Sequence, residues 1–384
     1  IDISQYGPVE PDTGIPARVR DFLNSLDEIV DAAIRESVDM VLFAGDAYRD
    51  RTPHPTFQRE WEKRILRLSQ AKIPTLLLTG NHDMPKASMK AHALAEFETL
   101  QIPYVHVLSK AAFVEANAIG LPIQVIALPW IYLERSEEYK NQKVKDSESI
   151  HSAVEDRVIQ VLDSMLKRRD EAIPTILLAH AAITGSKLGD ERELMLGGDF
   201  QLTPGIVKDP RYDYVALGHI HRAQNLNGPS PDDPNRENLH PPVIYPGSIE
   251  RVNFGESAED KYFVIAEVSK GNTKVEWRQL KNIRKFYKKV VLVTGNGSPL
   301  EEIFSKLPEP AGLAGAVIHI AVEHPSGVQG SIDEKAIKAR FADAFEVRVT
   351  TRVQREARSR LGSEENTSSI SDIDLLDRYL EINK

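Results

Sequence analysis

Four short apolar segments of this chain each run directly into side chains that can bind a metal ion. They are VLFAGD (41–46), TLLLTGNHD (75–83), TILLAHAAITG (175–185) and YVALGHIH (214–221). Each apolar run has the length and composition of an interior β-strand. In layered α/β folds, ligands gather beyond the carboxyl ends of the strands. We therefore expect the four polar clusters to meet in space, although about 175 residues separate Asp46 from His221.

The polar residues at these strand ends form a chemically consistent set. The candidate metal ligands are Asp46, Asn81, His180, His219 and His221. All five offer oxygen or nitrogen atoms, and such a set suits manganese, iron, magnesium or zinc. The pattern therefore predicts a mixed carboxylate–imidazole metal site.

Two further residues of the second segment are candidates for catalysis. His82, beside a metal centre, could donate a proton to a leaving oxygen or stabilise developing negative charge. Asp83 could orient His82. Each signal alone has a structural alternative, because Gly-Asp after a strand is commonly a turn and a histidine there is commonly a core residue. The occurrence of all four clusters in this order favours a site.

Composition narrows the class of protein. The absence of cysteine excludes disulfides and thiolate metal sites and is weakly typical of the cytoplasm. No apolar run approaches the roughly 18 residues of a membrane-spanning helix, so we expect no membrane partner. The net charge of −9 argues against a protein that coats nucleic acid by bulk charge. Local contacts stay open, because basic clusters occur at 167–169, 284–289 and 348–360. The pattern of these clusters favours solvated helix or strand faces.

The order of predicted elements divides the chain into three parts. Residues 1–280 mix helix–strand alternation with strand-rich stretches, which predicts an α/β fold with a sheet-based core and helices on its outer faces. Residues 281–356 read as strand, helix, strand, helix, strand, which predicts a small separate α/β domain. In the last part, 357–384, a polar linker leads to an amphipathic helix at 372–382 that needs a partner surface.

Together these motifs resemble those of the calcineurin-like metallophosphoesterases. The matching residues are Gly45-Asp46, Gly80-Asn81-His82-Asp83, His180 and Gly218-His219-Ile220-His221. The flanking text, including AGDAYRDRTP and YPGSIERVNFGE, further resembles the SbcD family of nuclease subunits. The resemblance covers about residues 1–355. It implies a metallophosphoesterase β-sandwich flanked by helices (1–280), plus a small α/β capping domain (281–356).

The resemblance also implies a reaction. Nucleases of this family hydrolyse DNA phosphodiester bonds, as exonucleases and endonucleases, at double-strand ends and hairpins. They use two divalent metal ions, for which we expect Mn²⁺, with Mg²⁺ or Fe²⁺ as alternatives. By position, Asp46 would bridge the two ions, His221 would serve one of them, and His82 would assist the departing oxygen. The ligands that would complete the other site are Asn81, His180 and His219.

The partners that the resemblance implies are DNA, an SbcC-type ABC ATPase and a second copy of the chain in a homodimer. The ATPase would dock through the helix predicted at 372–382. These functions belong to DNA repair and recombination in the cytoplasm.

One part of the family pattern does not occur in these residues. Family members begin with a strand that ends in Asp-x-His and supplies ligands to the first metal ion, and no Asp-x-His occurs between Ile1 and Lys384. We expect the natural protein to carry this motif ahead of Ile1. A molecule without it would have a half-empty site and weak or absent catalysis.

Two other functions stay open. One is a phosphoesterase of the same fold that acts on nucleotides or phosphoproteins. The small α/β domain and the terminal helix argue against it, because a small substrate needs neither. The other is a non-catalytic scaffold that binds DNA ends and the ATPase. The intact Asn81-His82 and His219/His221 argue against that alternative, and the missing Asp-x-His motif keeps it open.

Overall fold

The computed structural model describes residues 6–85, 91–133, 147–188, 200–294, 297–326 and 332–354. These residues fall into two compact units, divided between Phe286 and Tyr287. The predicted linker and terminal helix, from residue 357 onward, lie outside the described residues. Within the described ranges, no helix combines the length and the apolar character that crossing a membrane requires.

The first unit alternates helices with short strands. Its helices are α1 (Ala17–Arg35), α2 (Pro55–Gln70), α3 (Ala95–Leu100), α4 (Ala116–Ile119), α5 (Ser147–Leu166) and α6 (Pro204–Val207). Its first six strands are β1 (Val41–Phe43), β2 (Thr75–Leu78), β3 (Val105–Leu108), β4 (Ala112–Val114), β5 (Gln124–Leu128) and β6 (Thr175–His180). The later strands are β7 (Ala182–Ile183), β8 (Gln201–Leu202), β9 (Tyr214–Gly218), β10 (Gln224–Asn225), β11 (Val243–Tyr245), β12 (Tyr262–Glu267) and β13 (Lys274–Gln279).

These strands build two main sheets. Strands β1, β2 and β3 form a parallel sheet in that order. A six-stranded mixed sheet has the order β10-β11-β9-β6-β5-β4, with parallel pairing between β11, β9, β6 and β5. Strands β12 and β13 form an antiparallel pair, and β7 and β8 a parallel one.

The two main sheets pack face to face. One apolar cluster contains Leu76 and Leu78 of β2 together with Val125, Ile176 and Ala216 of the six-stranded sheet. Residues of β12 and β13 join the same cluster. Every residue of β2 and β6 is buried, as expected for strands covered on both faces. The β-sandwich that the sequence predicted is therefore confirmed.

Helices cover the outer face of each sheet. The apolar residues of α1 recur at helical spacing and pack with those of α2 against the three-stranded sheet, around the buried Trp61. On the other side, α5 buries Val154, Val158 and Leu162 against the six-stranded sheet. At 25 cal/mol per Å², each such aliphatic side chain stabilises the layer by about 1.5–3 kcal/mol. The predicted layering is thus produced by amphipathic helices on strongly apolar strands.

The second unit is a small α/β domain. It contains all but the first residue of β14 (Phe286–Leu292), and then α7 (Pro299–Ser305), β15 (Val317–His324), α8 (Glu334–Arg340) and β16 (Glu346–Val353). The strands form one sheet in the order β14-β15-β16, and one face of it packs against the two helices. The predicted order strand, helix, strand, helix, strand is confirmed.

The helix before β3 is short. Among the described residues, α3 begins only at Ala95. The preceding residues form turns instead: the Ala93 amide donates to the Asp83 carbonyl, and the Leu94 amide donates to His92 Nδ1. These contacts use donors that a longer helix would direct along its own axis.

Candidate metal centre

The four predicted polar clusters meet at one edge of the sandwich. Asp46 follows β1 and Asn81 follows β2, and these two strands are parallel neighbours. His180 is the last residue of β6 and His219 directly follows β9. Strands β6 and β9 are also parallel neighbours, with His180 opposite Gly218. The carboxyl ends of both sheets therefore deliver their polar side chains to the same place.

Three glycines permit this close approach. A Cβ atom on Gly45 would lie 2.3 Å from His180 Nδ1, and one on Gly80 would lie 2.1 Å from Asp46 Oδ1. A Cβ atom on Gly218 would lie 1.9 Å from the Ala44 carbonyl oxygen. Any side chain at these three positions would push the strand ends apart. The glycines that directly precede Asp46, Asn81 and His219 are thus part of the site.

The backbone of two candidate ligands is strained. Asp46 has φ of 59° and His219 has φ of 98°, although neither is a glycine. This left-handed region is disfavoured for residues with a Cβ atom, and it persists only where the surrounding structure enforces it. The strain is located at two residues whose side chains enter the cluster.

Four candidate ligand atoms converge. His180 Nε2 lies 3.2 Å from Asp46 Oδ2 and 3.0 Å from Asn81 Oδ1. His219 Nδ1 lies 3.2 Å from the same Asn81 oxygen. The ligand atoms of Asp46, His180 and His219 all lie within 4.8 Å of one another. The geometry brings together four of the five predicted ligands.

The position of the proton on His180 favours a cation at the centre of the cluster. His180 Nδ1 lies 2.6 Å from the Ala44 carbonyl oxygen, to which it can only donate. In the neutral ring, Nε2 then carries a lone pair that faces two oxygen atoms. Such a set of lone pairs repels itself unless a proton or a metal ion lies between them. The residues present therefore fit a divalent cation.

The charges around Asp46 also favour a cation in the cluster. Burial opposes ionisation of Asp46, but the neighbouring His180 and His82 hold its pKa below the usual range. Burial likewise works against the protonated form of His180, yet the Asp46 carboxylate raises the pKa of that imidazole. The cluster thus keeps a carboxylate negative at neutral pH and draws a positive charge toward it.

Asp83 has a different part from the predicted one. Its buried carboxylate accepts hydrogen bonds from the backbone amides of Asp46 (2.8 Å), Ala47 (2.9 Å) and Gly80 (2.9 Å). It therefore ties the loop after β1 to the loop after β2, and the expectation that it orients His82 does not match these contacts. Burial and the nearby Asp46 charge raise the pKa of Asp83 to about 6.

His82 lies beside the cluster and is exposed. Its ring Nδ1 lies 2.6 Å from the Arg49 carbonyl oxygen, which fixes Nδ1 as the donor. Its backbone amide donates to Asp46 Oδ1 at 2.9 Å. The exposed imidazole is thus anchored through the backbone to a candidate ligand.

His221 is not one of the residues whose ligand atoms converge in the cluster. Its Nδ1 lies 2.9 Å from Oε1 of Glu256, and its side chain is 31% exposed. Glu256 itself is buried and also contacts Lys261 Nζ at 2.7 Å. Sequence reasoning missed Glu256 as a site residue, although it lies in the stretch YPGSIERVNFGE.

Two aromatic residues were missed as well. The Trp130 ring lies over His219, with 4.6 Å between ring centroids, and contacts His180 edge-on at 5.9 Å. The Tyr132 hydroxyl donates to the Asn81 carbonyl oxygen at 2.7 Å. The signal was available, because Trp130 follows the apolar strand β5 just as the ligands follow theirs.

The chain is similar to known proteins over much of its length. The family model for calcineurin-like phosphoesterases matches residues 12–223. The chain is 24% identical to an uncharacterized metallophosphoesterase, YhaO, of Bacillus subtilis, over 74% of this chain and 59% of the relative. It is 26% identical to a subunit of the nuclease SbcCD of Escherichia coli K12, over 64% and 59%. It is 24% identical to the DNA double-strand break repair protein Mre11 of Thermoplasma acidophilum, over 70% and 61%.

The chain spans about three-fifths of the length of these relatives. The residues that the family model matches, 12–223, include the four strand ends that carry Asp46, Asn81, His180 and His219.

Proposed function

The chain belongs to the calcineurin-like phosphoesterase family, and on this basis we propose that it is a metal-dependent nuclease that hydrolyses phosphodiester bonds in DNA. The observation that carries the proposal is the convergence of Asp46, Asn81, His180 and His219 at the joined ends of two sheets. DNA is favoured as the substrate because similar chains are described as a nuclease subunit and a DNA double-strand break repair protein.

In the proposed centre, Asn81, His180 and His219 would hold one divalent ion, His221 would serve a second, and Asp46 would bridge them. Mn²⁺ is the proposed ion. When bound, two such ions polarise a phosphoryl oxygen and stabilise the attacking and leaving oxygens of an in-line displacement. The Asp83 carboxylate would keep Asp46 and Asn81 in place through the backbone amides of their loops.

His82 is the proposed proton donor. Because its Nδ1 is held by the Arg49 carbonyl, proton exchange is restricted to Nε2. A protonated His82 would donate from Nε2 to the departing oxygen or stabilise negative charge on it.

The second unit is proposed to be a capping domain that contacts the DNA backbone. The sheet face away from α7 and α8 carries the exposed cations Lys288, Arg348 and Arg352 around His319. Burial and these three cations lower the pKa of His319. Arg348 contacts Glu346 at 3.8 Å, whereas Lys288 and Arg352 form no ion pair among the described residues. A face with unpaired cations suits phosphate contacts, which supply most of the sequence-independent affinity for DNA.

The proposed partners beyond DNA are an SbcC-type ABC ATPase, which the name of a nuclease complex subunit suggests, and a second copy of the chain. The proposed location is the cytoplasm. The helix predicted at 372–382 is the candidate docking element for the ATPase.

The test is nucleotide release from end-labelled linear duplex DNA by the full-length protein with Mn²⁺, beside a His82→Ala variant. We expect release by the wild-type protein and its loss in the variant, while Mn²⁺ binding stays the same. Hydrolysis of a simple phosphodiester without any action on DNA would instead favour the small-substrate phosphoesterase. No hydrolysis of either substrate would favour the non-catalytic scaffold.

A further inference from the structure

The stretch YPGSIERVNFGE and the residues that follow it wrap around His221. The Ser248 amide donates to the His221 carbonyl oxygen at 3.0 Å. Gly247 has φ of 87°, and a Cβ atom there would lie 2.6 Å from that oxygen. The backbone of this stretch therefore touches the backbone of His221 where only a glycine fits.

The side chain of Glu256 continues this contact to the imidazole. One carboxylate oxygen, Oε1, lies 2.9 Å from His221 Nδ1. The other, Oε2, accepts from Lys261 Nζ at 2.7 Å, Ser248 Oγ at 3.2 Å and the Val252 amide at 3.1 Å. The side chain of Glu256 is 1% exposed. A carboxylate with four partners in a buried place has one orientation.

Lys261 closes the arrangement. Its side chain is also 1% exposed, and Nζ contacts the carboxylates of Glu256 (2.7 Å) and Glu259 (2.9 Å). The same Nζ donates to the His221 carbonyl oxygen at 3.4 Å. A buried ion pair is rarely a source of net stability, because desolvation offsets the attraction. Here both members of the pair contact His221, a residue of the proposed metal centre, so we assign the pair to that centre and not to stability.

We infer that Glu256 is a positioning residue for His221, with Lys261 holding Glu256 in place. The carboxylate fixes the Nδ1–H tautomer of His221, so that the Nε2 lone pair is presented to a metal ion. A carboxylate behind an imidazole also makes the ring a stronger ligand. The inference rests on the proposed function, because it assigns Glu256 to the ion that His221 would serve.

The charge state of Glu256 is consistent with this role. Its ion pair with the buried Lys261 favours the carboxylate form. A carboxylate can only accept a hydrogen bond from Nδ1.

The experiment measures metal binding by the full-length protein, not hydrolysis. Mn²⁺ is titrated into metal-free protein, and the free ion is followed by electron paramagnetic resonance. We expect two ions to bind the wild-type protein. Glu256→Ala should weaken one of them by about 10–100-fold and leave the other unchanged. Glu256→Gln keeps an acceptor oxygen, so its loss of affinity should be smaller than that of Glu256→Ala.

A second readout reports the tautomer directly. Nitrogen-15 histidine spectra of the metal-free protein distinguish a protonated Nδ1 from a protonated Nε2, and the His221 signals are assigned by their loss in His221→Gln. We expect a protonated Nδ1 at His221 in the wild-type protein and a mixture in Glu256→Ala. If Glu256→Ala fails to fold, Glu256→Gln carries the test.

The matched control is Asp213→Asn. Asp213 is also a buried carboxylate with a lysine partner, Lys270 at 3.1 Å, but it precedes β9 and lies at the opposite end of that strand from His219. This variant should lose stability and keep both Mn²⁺ affinities. Equal weakening of Mn²⁺ binding in Asp213→Asn and Glu256→Ala would overturn the inference, because the effect would then be structural.

Unchanged binding of both ions in Glu256→Ala and Glu256→Gln would also overturn it. The proposed function can fail separately: a wild-type protein that binds two ions but cuts no DNA leaves the inference about Glu256 intact. A wild-type protein that binds fewer than two ions would overturn both, and this is known before any variant is measured.

Discussion

Substitution of Gly218 by alanine tests whether the strand ends must touch for the site to form. The added Cβ atom would lie 1.9 Å from the Ala44 carbonyl oxygen and 2.8 Å from His180 Nδ1. Cβ atoms essentially never approach another atom closer than 3.0 Å, so the ends of β1 and β9 must separate by about 1 Å. That movement would pull the Ala44 carbonyl away from His180 Nδ1, which it now holds at 2.6 Å.

The expected loss of stability follows from these contacts. Inserting a methyl group into a packed interior costs about 1–3 kcal/mol, and the obstacle here is backbone, which yields least. Distorting the His180–Ala44 hydrogen bond costs about 1 kcal/mol more. Gly218→Ala should therefore lower the free energy of unfolding by about 2–4 kcal/mol. It should also weaken Mn²⁺ binding, because His180 Nε2 loses its orientation.

The measurement is urea unfolding followed by circular dichroism, with Mn²⁺ titration on the same samples. The matched control is Gly205→Ala in α6, where a Cβ atom meets nothing within 4 Å. Alanine is the better helix former by about 1 kcal/mol, so Gly205→Ala should be neutral or slightly stabilising. If Gly218→Ala were no more destabilising than Gly205→Ala, the claim that close backbone approach builds the site would be refuted.

Other outcomes follow from contacts elsewhere in the chain. Burial and the neighbouring Glu96 raise the pKa of Glu62 to about 7; a raised carboxyl pKa means that stability falls as pH rises from 4.5 through 7. Glu62→Gln should thus raise the melting temperature at pH 8 and leave it unchanged at pH 4, and an equal shift at both values would contradict this. His82→Ala should lower the rate of DNA hydrolysis by about 100-fold or more at saturating Mn²⁺, and a matching fall in Mn²⁺ affinity would show instead that the variant damages the centre. Replacing Lys288 and Arg352 together by glutamate should reduce the slope of log affinity for DNA against log salt by about 2. Replacing Lys335 and Lys338 by glutamate should leave that slope unchanged, because both residues belong to α8, which packs on the opposite face of the sheet.

The local pattern of the sequence was sufficient to predict that the polar ends of the strands meet. Asp46, Asn81, His180 and His219 each follow an apolar run, and parallel strands bring their carboxyl ends to one edge regardless of chain distance. The glycines at 45, 80 and 218 belong to the same signal, since a backbone that touches another backbone tolerates no side chain. Periodicity also predicted the elements of the second unit.

The same local pattern did not predict the contacts between loops. Glu256 lies 35 residues after His221, and nothing in the residues between them encodes the distance across the turn. Asp83 follows His82 directly, so a local reading paired them, whereas the folded chain offers Asp83 three backbone amides from two loops. Buried acceptors bind the donors that the tertiary structure presents, so the partners of Asp83 and Glu256 depend on the fold and not on their neighbours in the sequence.

The origin of the cluster in two different sheets has a consequence for the lifetime of the protein. Asp46 and Asn81 come from the three-stranded sheet, and His180 and His219 come from the six-stranded one. An ion held among them would cross-link the two layers of the sandwich. At a free concentration of 100 times its dissociation constant, one ion adds about 2.7 kcal/mol against unfolding. Scarcity of metal would therefore act on this protein in two ways: molecules without the ion would not react, and their sandwich would open more often and be more open to proteolysis, so that fewer molecules remain.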